Sequence, residues 1–368
     1  MRFLFLLVVG FCWSSVFAQC PYDYNGDGVI NFDGDLFFQL SQYGLSGTDL
    51  PTDHNNNGLA DVRDHLLFLN YLGTNICPEP IDESDHILNL VLTEYYVHEE
   101  DFNGESDTIP AGSITYRLYI ELAEEDDRLI GIFGDTDSPL SIQSTGGFHI
   151  HQIGTETPFA PIFSPNINAF ISVFPEIEYT SWLTIAASTE DPWYGNINTI
   201  SAPGNDFLEN FENGGNILMD SEVGSAVMNH NAIYLELPEG PEGLQLIGQF
   251  TTLETDNISG TINAYIRTDG DGISPGYGVA EGLTFNEGDL SVLGCMDQEA
   301  SNYNPEADYE DGSCVYQGDL DGDGEVSIED LLIFIEEFGC MEDCGFANMN
   351  GDGVVNVADL ILFLGLIN

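Results

Sequence analysis

Four segments of this chain place acids or amides at alternate positions and follow them with a glycine, two near each end. That spacing constrains the backbone more than any other feature. It calls for a tight loop whose oxygens point inward and whose sixth residue turns sharply. In a 12-residue frame with ligands at positions 1, 3, 5, 7, 9 and 12, each loop offers the oxygen shell that Ca2+ prefers. The first offers Asp23, Asn25, Asp27, the Val29 carbonyl and Asn31, but its position 12 is Gly34, so either Asp33 or Asp35 closes the shell by a local shift or the site is weak. The second offers Asp53, Asn55, Asn57, the Leu59 carbonyl, Asp61 and Asp64. The third offers Asp319, Asp321, Asp323, the Glu325 carbonyl, Ser327 and Asp330, and the fourth Asn348, Asn350, Asp352, the Val354 carbonyl, Asn356 and Asp359. A single such turn in an acidic chain carries little weight, whereas four in register, paired roughly 30 residues apart, mark a duplication. By carboxylate count the third should hold the ion most tightly and the fourth less so.

An apolar stretch follows every loop: Leu36, Phe37, Leu40 and Tyr43; His65, Leu66, Leu69 and Leu72; Leu331, Leu332, Ile335 and Phe338; Leu360, Ile361 and Leu364. Their helical spacing predicts a small core between paired helices. No comparable helix precedes the loops, so the units are loop-helix rather than helix-loop-helix. Such duplicated loops, each followed by one helix, resemble type I dockerin modules over about Pro21–Gly73 and Gly318–Asn368. The resemblance implies Ca2+ as cofactor and a cohesin-like extracellular protein as partner. In cellulosomal members, loop positions 10 and 11 often carry a Ser/Thr recognition pair. Here those positions hold Phe32-Asp33, Val62-Arg63, Ile328-Glu329 and Val357-Ala358, and none is such a pair.

The chain opens with Arg2, an apolar run from Phe3 to Trp13 and small residues up to Ala18, the pattern of a secretory signal peptide over residues 1–18. That run is shorter than the ~20 residues of a membrane span. Cys20, Cys77, Cys295, Cys314, Cys340 and Cys344 follow, an even number in an exported chain and therefore an expected set of disulfides. Their pairing is open. The formal net charge is -58, and all five basic residues are arginines. Such a field repels phosphate backbones and anionic lipid, which excludes nucleic acid and membrane insertion as partners, and it attracts divalent cations.

Residues 85–290 read differently. Ser113–Ile120, Leu129–Phe133, Ser181–Ala186, Ala232–Leu237, Leu244–Thr251 and Gly260–Ile266 are short β-branched or aromatic runs bounded by turn formers. They predict an antiparallel sandwich. The fold class expected is thus mixed multidomain: a central all-β sandwich flanked by two small α-helical, dockerin-like calcium modules at 19–78 and 316–368. Residues 294–315, from Gly294-Cys295-Met296-Asp297 to Asp311-Gly312-Ser313-Cys314, resemble a short repeat common in exported proteins of marine Bacteroidota and read as a disulfide-closed linker. Thr115–Tyr119 and Ser259–Asn263 resemble an uncharacterised β-domain of secreted proteins, which implies fold and not activity.

No catalytic residue is assigned. His149 and His151 alternate and could share a metal, but no third ligand stands out. Acids are so numerous that any glycosidase pair can be nominated. Trp182 lies in a strand-like run and reads as core, while Trp193 follows Asp191-Pro192 in a loop and is the better platform for a sugar ring. Two functions are expected from this pattern. One is calcium-dependent, non-catalytic extracellular assembly or adhesion; the other is polysaccharide binding or degradation by the central domain.

Overall fold

The structure, a computed structural model, describes residues 22–25, 29–30, 32–48, 50–69, 86–104, 108–124, 127–153, 157–158, 171, 174–186, 197–202, 204–229, 243–253, 257–268, 276–322, 324, 326–341 and 347–367. The chain divides into two compact units, Met1–Pro80 and Ile81–Asn368.

In the first unit a π-helical turn, Phe32–Leu36, leads directly into α1 (Phe37–Gln42), and α2 (Val62–Leu69) follows the second loop. Gly44 leaves α1 with φ 81, a left-handed conformation that costs glycine little. Its N–H donates to the Ala60 carbonyl at 2.7 Å, and the Ala60 N–H donates to the Leu45 carbonyl at 2.9 Å. The two loop-helix repeats are therefore stapled by backbone bonds. Tyr22, Ile30, Ala60, Val62, Leu66 and Phe68 are buried between them. The Tyr24 ring stacks on Phe68 with centroids 6.0 Å apart.

The second unit is β-rich. Its strands are β1 (Ile87–Val97), β2 (Phe102–Asn103), β3 (Thr108–Ile109), β4 (Ile114–Leu122), β5 (Arg128–Gly134), β6 (Leu140–Ser144), β7 (Gln152–Ile153), β8 (Thr157–Pro158), β9 (Trp182–Leu183), β10 (Ile197–Ile200), β11 (Ile217–Met219), β12 (Ser225–Asn229), β13 (Leu244–Thr252), β14 (Ile258–Thr268) and β15 (Gly276–Asn286). One sheet has the order β1-β4-β13-β9; the other runs β10-β12-β5-β14-β6-β11, with β15 paired to β14. Every pairing between these strands is antiparallel, as expected.

Side-chain alternation explains the layering. On β4, Tyr116, Leu118, Ile120 and Leu122 point to one core, which they share with Leu129 and Ile132 of β5, Ile142 of β6 and Ile262 and Ile266 of β14. The two sheets thus face each other across a single apolar interior. Tyr119, between those positions, joins Val91, Ile177, Trp182, Leu244 and Leu246 in a second cluster on the outer face of the four-stranded sheet. β13 is buried along its whole length because it is covered on both sides. β5 and β6 lie end to end along one edge of β14, pairing with Asn263–Arg267 and Ile258–Thr261 respectively. Buried Asn263 bridges the break between them, donating to the carbonyls of Phe133 at 3.0 Å and Ser138 at 2.7 Å.

Several expectations change here. Of Ser181–Ala186 only Trp182–Leu183 is strand, although Trp182 is buried core as its place in that run suggests. Ala232–Leu237 and Trp193 lie outside the described residues. The Cys295–Cys314 disulfide closes the segment expected to be a linker, but that segment packs onto the sheet. Leu293 and Tyr309 bridge to one another and rest against the outer cluster, and the Tyr309 hydroxyl donates to Glu121 on β4 at 3.0 Å. Its apolar groups gain more from that burial than from exposure in a free tether. α3 (Phe207–Glu212) lies within the β-rich domain and buries Phe207 and Phe211 in its core.

The chain ends in α4 (Ile328–Glu336) and α5 (Val357–Leu364). Gly339, at φ 95, donates to the Val355 carbonyl at 2.8 Å, and the Val355 N–H donates to the Cys340 carbonyl at 3.0 Å. This repeats the staple of Gly44, Ala60 and Leu45 position for position. Cys340 is itself disulfide-bonded. The core between the helices is Phe334, Ala347, Val355 and Phe363, with the two phenylalanine centroids 5.2 Å apart. Of the residues expected in that core, Leu331 and Leu360 pack against it, whereas Leu332, Ile335, Phe338, Ile361 and Leu364 are exposed. Leu332, Ile335, Ile361 and Leu364 lie on a neighbouring stripe of each helix turned away from the phenylalanine, whereas Phe338, four residues after Phe334, keeps an edge contact with it at 6.4 Å.

Candidate metal centres

The helices α2, α4 and α5 begin inside their loops. Ser327, at position 9, caps α4 by accepting the Glu329 N–H at 3.1 Å, while Asp330, at position 12, accepts the Ser327 N–H at 2.8 Å. Asn356 and Asp359 make the same capping box on α5, with 2.7 Å from the Ala358 N–H and 2.9 Å from the Asn356 N–H. On α2, Asp61 accepts the Arg63 N–H and Asp64 accepts the Asp61 N–H, both at 2.9 Å. The position-12 carboxylate also reaches back to the loop entrance. Asp330 Oδ1 accepts from Leu320 at 2.6 Å and Asp321 at 3.1 Å; Asp64 Oδ1 accepts from His54 at 2.7 Å and Asn55 at 3.1 Å; Asp359 Oδ1 accepts from Asn350 at 3.1 Å. One buried carboxylate thereby ties loop entry, loop exit and helix start together.

In the first loop that place is taken by Asp35. Its Oδ1 accepts the N–H groups of Tyr24 at 2.7 Å and Asn25 at 3.2 Å, again loop positions 2 and 3, and the residue is fully buried. Asp35 lies one residue later than the frame requires, and the π-helical turn over Phe32–Leu36 absorbs the extra residue. Gly34 leaves room for the Asn25 side chain, with which a Cβ at that position would collide. Asp35, one of the two acids expected to close this loop, thus takes the hydrogen bonds that position 12 accepts in the others. The side chain of Asp33 is outside the described residues, as are Asp27, Asn31, Asp323 and Glu325.

The donor chemistry fits a hard divalent cation. Carboxylate oxygens of Asp319, Asp321 and Asp330 lie within 4.8 Å of one another. Asn348 Oδ1, the position-1 oxygen of the fourth loop, is buried and accepts no hydrogen bond, which a cation would remedy. Position 6 is left-handed at Gly58, Gly324 and Gly353, with φ 88, 88 and 85. Burial alone would raise the Asp330 and Asp359 carboxyls, but the backbone N–H groups they accept outweigh it and hold both below the usual range. Asp64 goes the other way: burial, aided by the Asp61 charge, lifts it to about 6 against its own N–H donors. A cation at the second loop would reverse that penalty.

Other clusters are less suited to a metal. His149 and His151 are buried, and His151 Nδ1 lies 3.9 Å from Glu176 Oε1, but among the described residues no three-ligand group includes either histidine. Cys295, Glu310 and Cys314 converge, yet both sulfurs are spent in the disulfide. No family model, curated protein or solved structure matches the chain. The class defined by the geometry is a β-rich domain with two antiparallel sheets, associated with duplicated loop-helix units whose loops are lined by oxygen donors. Among the described residues no helix is long and apolar enough to cross a membrane.

Proposed function

We propose that this is an exported, calcium-loaded assembly protein whose C-terminal, dockerin-like module docks a partner protein. One observation carries the reading. Loop positions 10, 14 and 17 of the third repeat are Ile328, Leu332 and Ile335, and those of the fourth are Val357, Ile361 and Leu364; their exposures are 65%, 62%, 56%, 59%, 66% and 53%. Position 16 of each, Phe334 and Phe363, is buried. The duplication therefore repeats an apolar ridge on each helix that the module does not use for its own core, as interaction surfaces do.

The first unit differs. Val62 and Leu66, at positions 10 and 14 of the second loop, are buried, and among the described residues of α1 Phe37, Phe38 and Leu40 are exposed. Docking is accordingly assigned to the C-terminal module. A second copy of this chain is a poor occupant, since two fields of -58 would repel. The partner is instead a cohesin-like extracellular protein with an apolar patch and a neutral or basic rim. Ile328 and Val357, each at position 10 where a cellulosomal member often carries Ser or Thr, favour apolar recognition.

The test cross-links the full-length protein to proteins of its own extracellular fraction, with calcium or with EDTA, beside a Leu332→Glu/Ile361→Glu variant of unchanged helical content. The reading predicts a cross-linked partner that both the variant and the chelator abolish. A cross-link that survives the variant would sink it.

A further inference from the structure

Near its end, β1 carries Tyr95 and Tyr96, 38% and 44% exposed. Neighbours on a strand normally point to opposite faces. Here the pairing of β1 with β4 slips by one residue between Glu94 and Tyr96, and this bulge brings both rings to the outer face of the four-stranded sheet. The Tyr95 hydroxyl donates to Glu178 at 3.2 Å, and the Tyr96 ring lies 4.8 Å from that of Tyr179, the next residue of the same 3-10 turn, Pro175–Tyr179.

Both rings are held in place. The Arg117 guanidinium sits 3.7 Å from the Tyr95 ring centroid, and its Nε donates to Gln249 at 3.2 Å. Buried Gln249 in turn donates to the carbonyls of Glu178 at 2.8 Å and Thr180 at 3.0 Å, fixing that turn to β13. Tyr96 meets His98 edge-on at 4.7 Å, and His98 and Phe102 back Tyr179 at 4.8 and 5.3 Å. The result is a rigid aromatic step beside a carboxylate, on a face the apolar interior does not need.

We propose that this step binds an uncharged polysaccharide, with pyranose rings laid on Tyr95 and Tyr96. A pyranose offers an apolar C–H face to an aromatic ring and hydroxyls at its edge, for which Glu178 and the tyrosine hydroxyls supply partners. Glu178 and the net charge of -58 repel uronates and sulfated sugars. Arg117, beside the step, is engaged by Tyr95 and Gln249. The inference stands apart from the docking reading and requires no metal.

Native affinity electrophoresis of the full chain, in gels containing soluble β-glucan, xylan or galactomannan, with alginate as the charged control, tests it. Retardation is expected in at least one neutral gel. Tyr96→Ala should weaken it about tenfold or more, the usual loss for a central aromatic contact. Tyr95→Phe, which keeps the ring, should retain most of it, and the melting temperature should hold in both variants. No retardation in any neutral gel, retardation by alginate alone, or retention undiminished in Tyr96→Ala would each overturn the proposal. So would retention that survives Tyr96→Ala but vanishes with EDTA, which places binding in the end modules.

Discussion

Asp35 shows how one residue can take a hydrogen-bonding place that the linear frame leaves open. Its carboxylate holds the entrance of the first loop as Asp64 and Asp330 hold theirs. Asp35→Asn should therefore lower calcium stoichiometry by one site in isothermal titration, whereas Asp33→Asn should leave the count unchanged; the reverse result would give the closing role to Asp33. A second residue-scale prediction concerns pH. Burial, then the nearby His149, lowers the pKa of His98, so the folded state disfavours its protonation. Stability is then lost as pH falls through about 6.5, the unfolded value, toward the folded one. His98→Phe should flatten the fall in β-domain melting temperature between about pH 7 and 5 relative to the wild type.

At the scale of the element, each helix at the C-terminus divides its apolar residues between two jobs. Phe334 fills the core against Phe363, while Leu332, two residues earlier, faces outward. Phe334→Ala should cost about 3–5 kcal/mol and melt the module. Leu332→Ala should change stability by no more than about 0.5 kcal/mol. Thermal denaturation followed by helical circular dichroism distinguishes the two, and equal losses would contradict this division. Helical spacing alone could not make it, because 3.6-residue periodicity places apolar groups on a helix without saying which stripe meets a neighbour.

For the molecule as a whole, the end modules and the β-rich domain should respond differently to chelation. Uncompensated carboxylates crowd the loops without metal, so binding energy is folding energy there. EDTA should remove helical ellipticity and the first melting transition while leaving the β transition in place. Each site saturated at 100 times its dissociation constant contributes about 2.7 kcal/mol. An unchanged first transition would refute calcium as a structural element.

The local features were legible in the chain itself. Loop frames, the β-rich middle and the strand-like run Ser113–Ile120, most of the observed strand Ile114–Leu122, follow from short-range spacing, because turn chemistry and alternation act within a few residues. Tertiary structure decided the rest. It placed Asp35 through a π-turn, laid the Cys295–Cys314 segment on β4 and turned Tyr95 and Tyr96 to one face. Each of those outcomes depends on a partner far along the chain, and only packing selects among the partners that a local pattern allows.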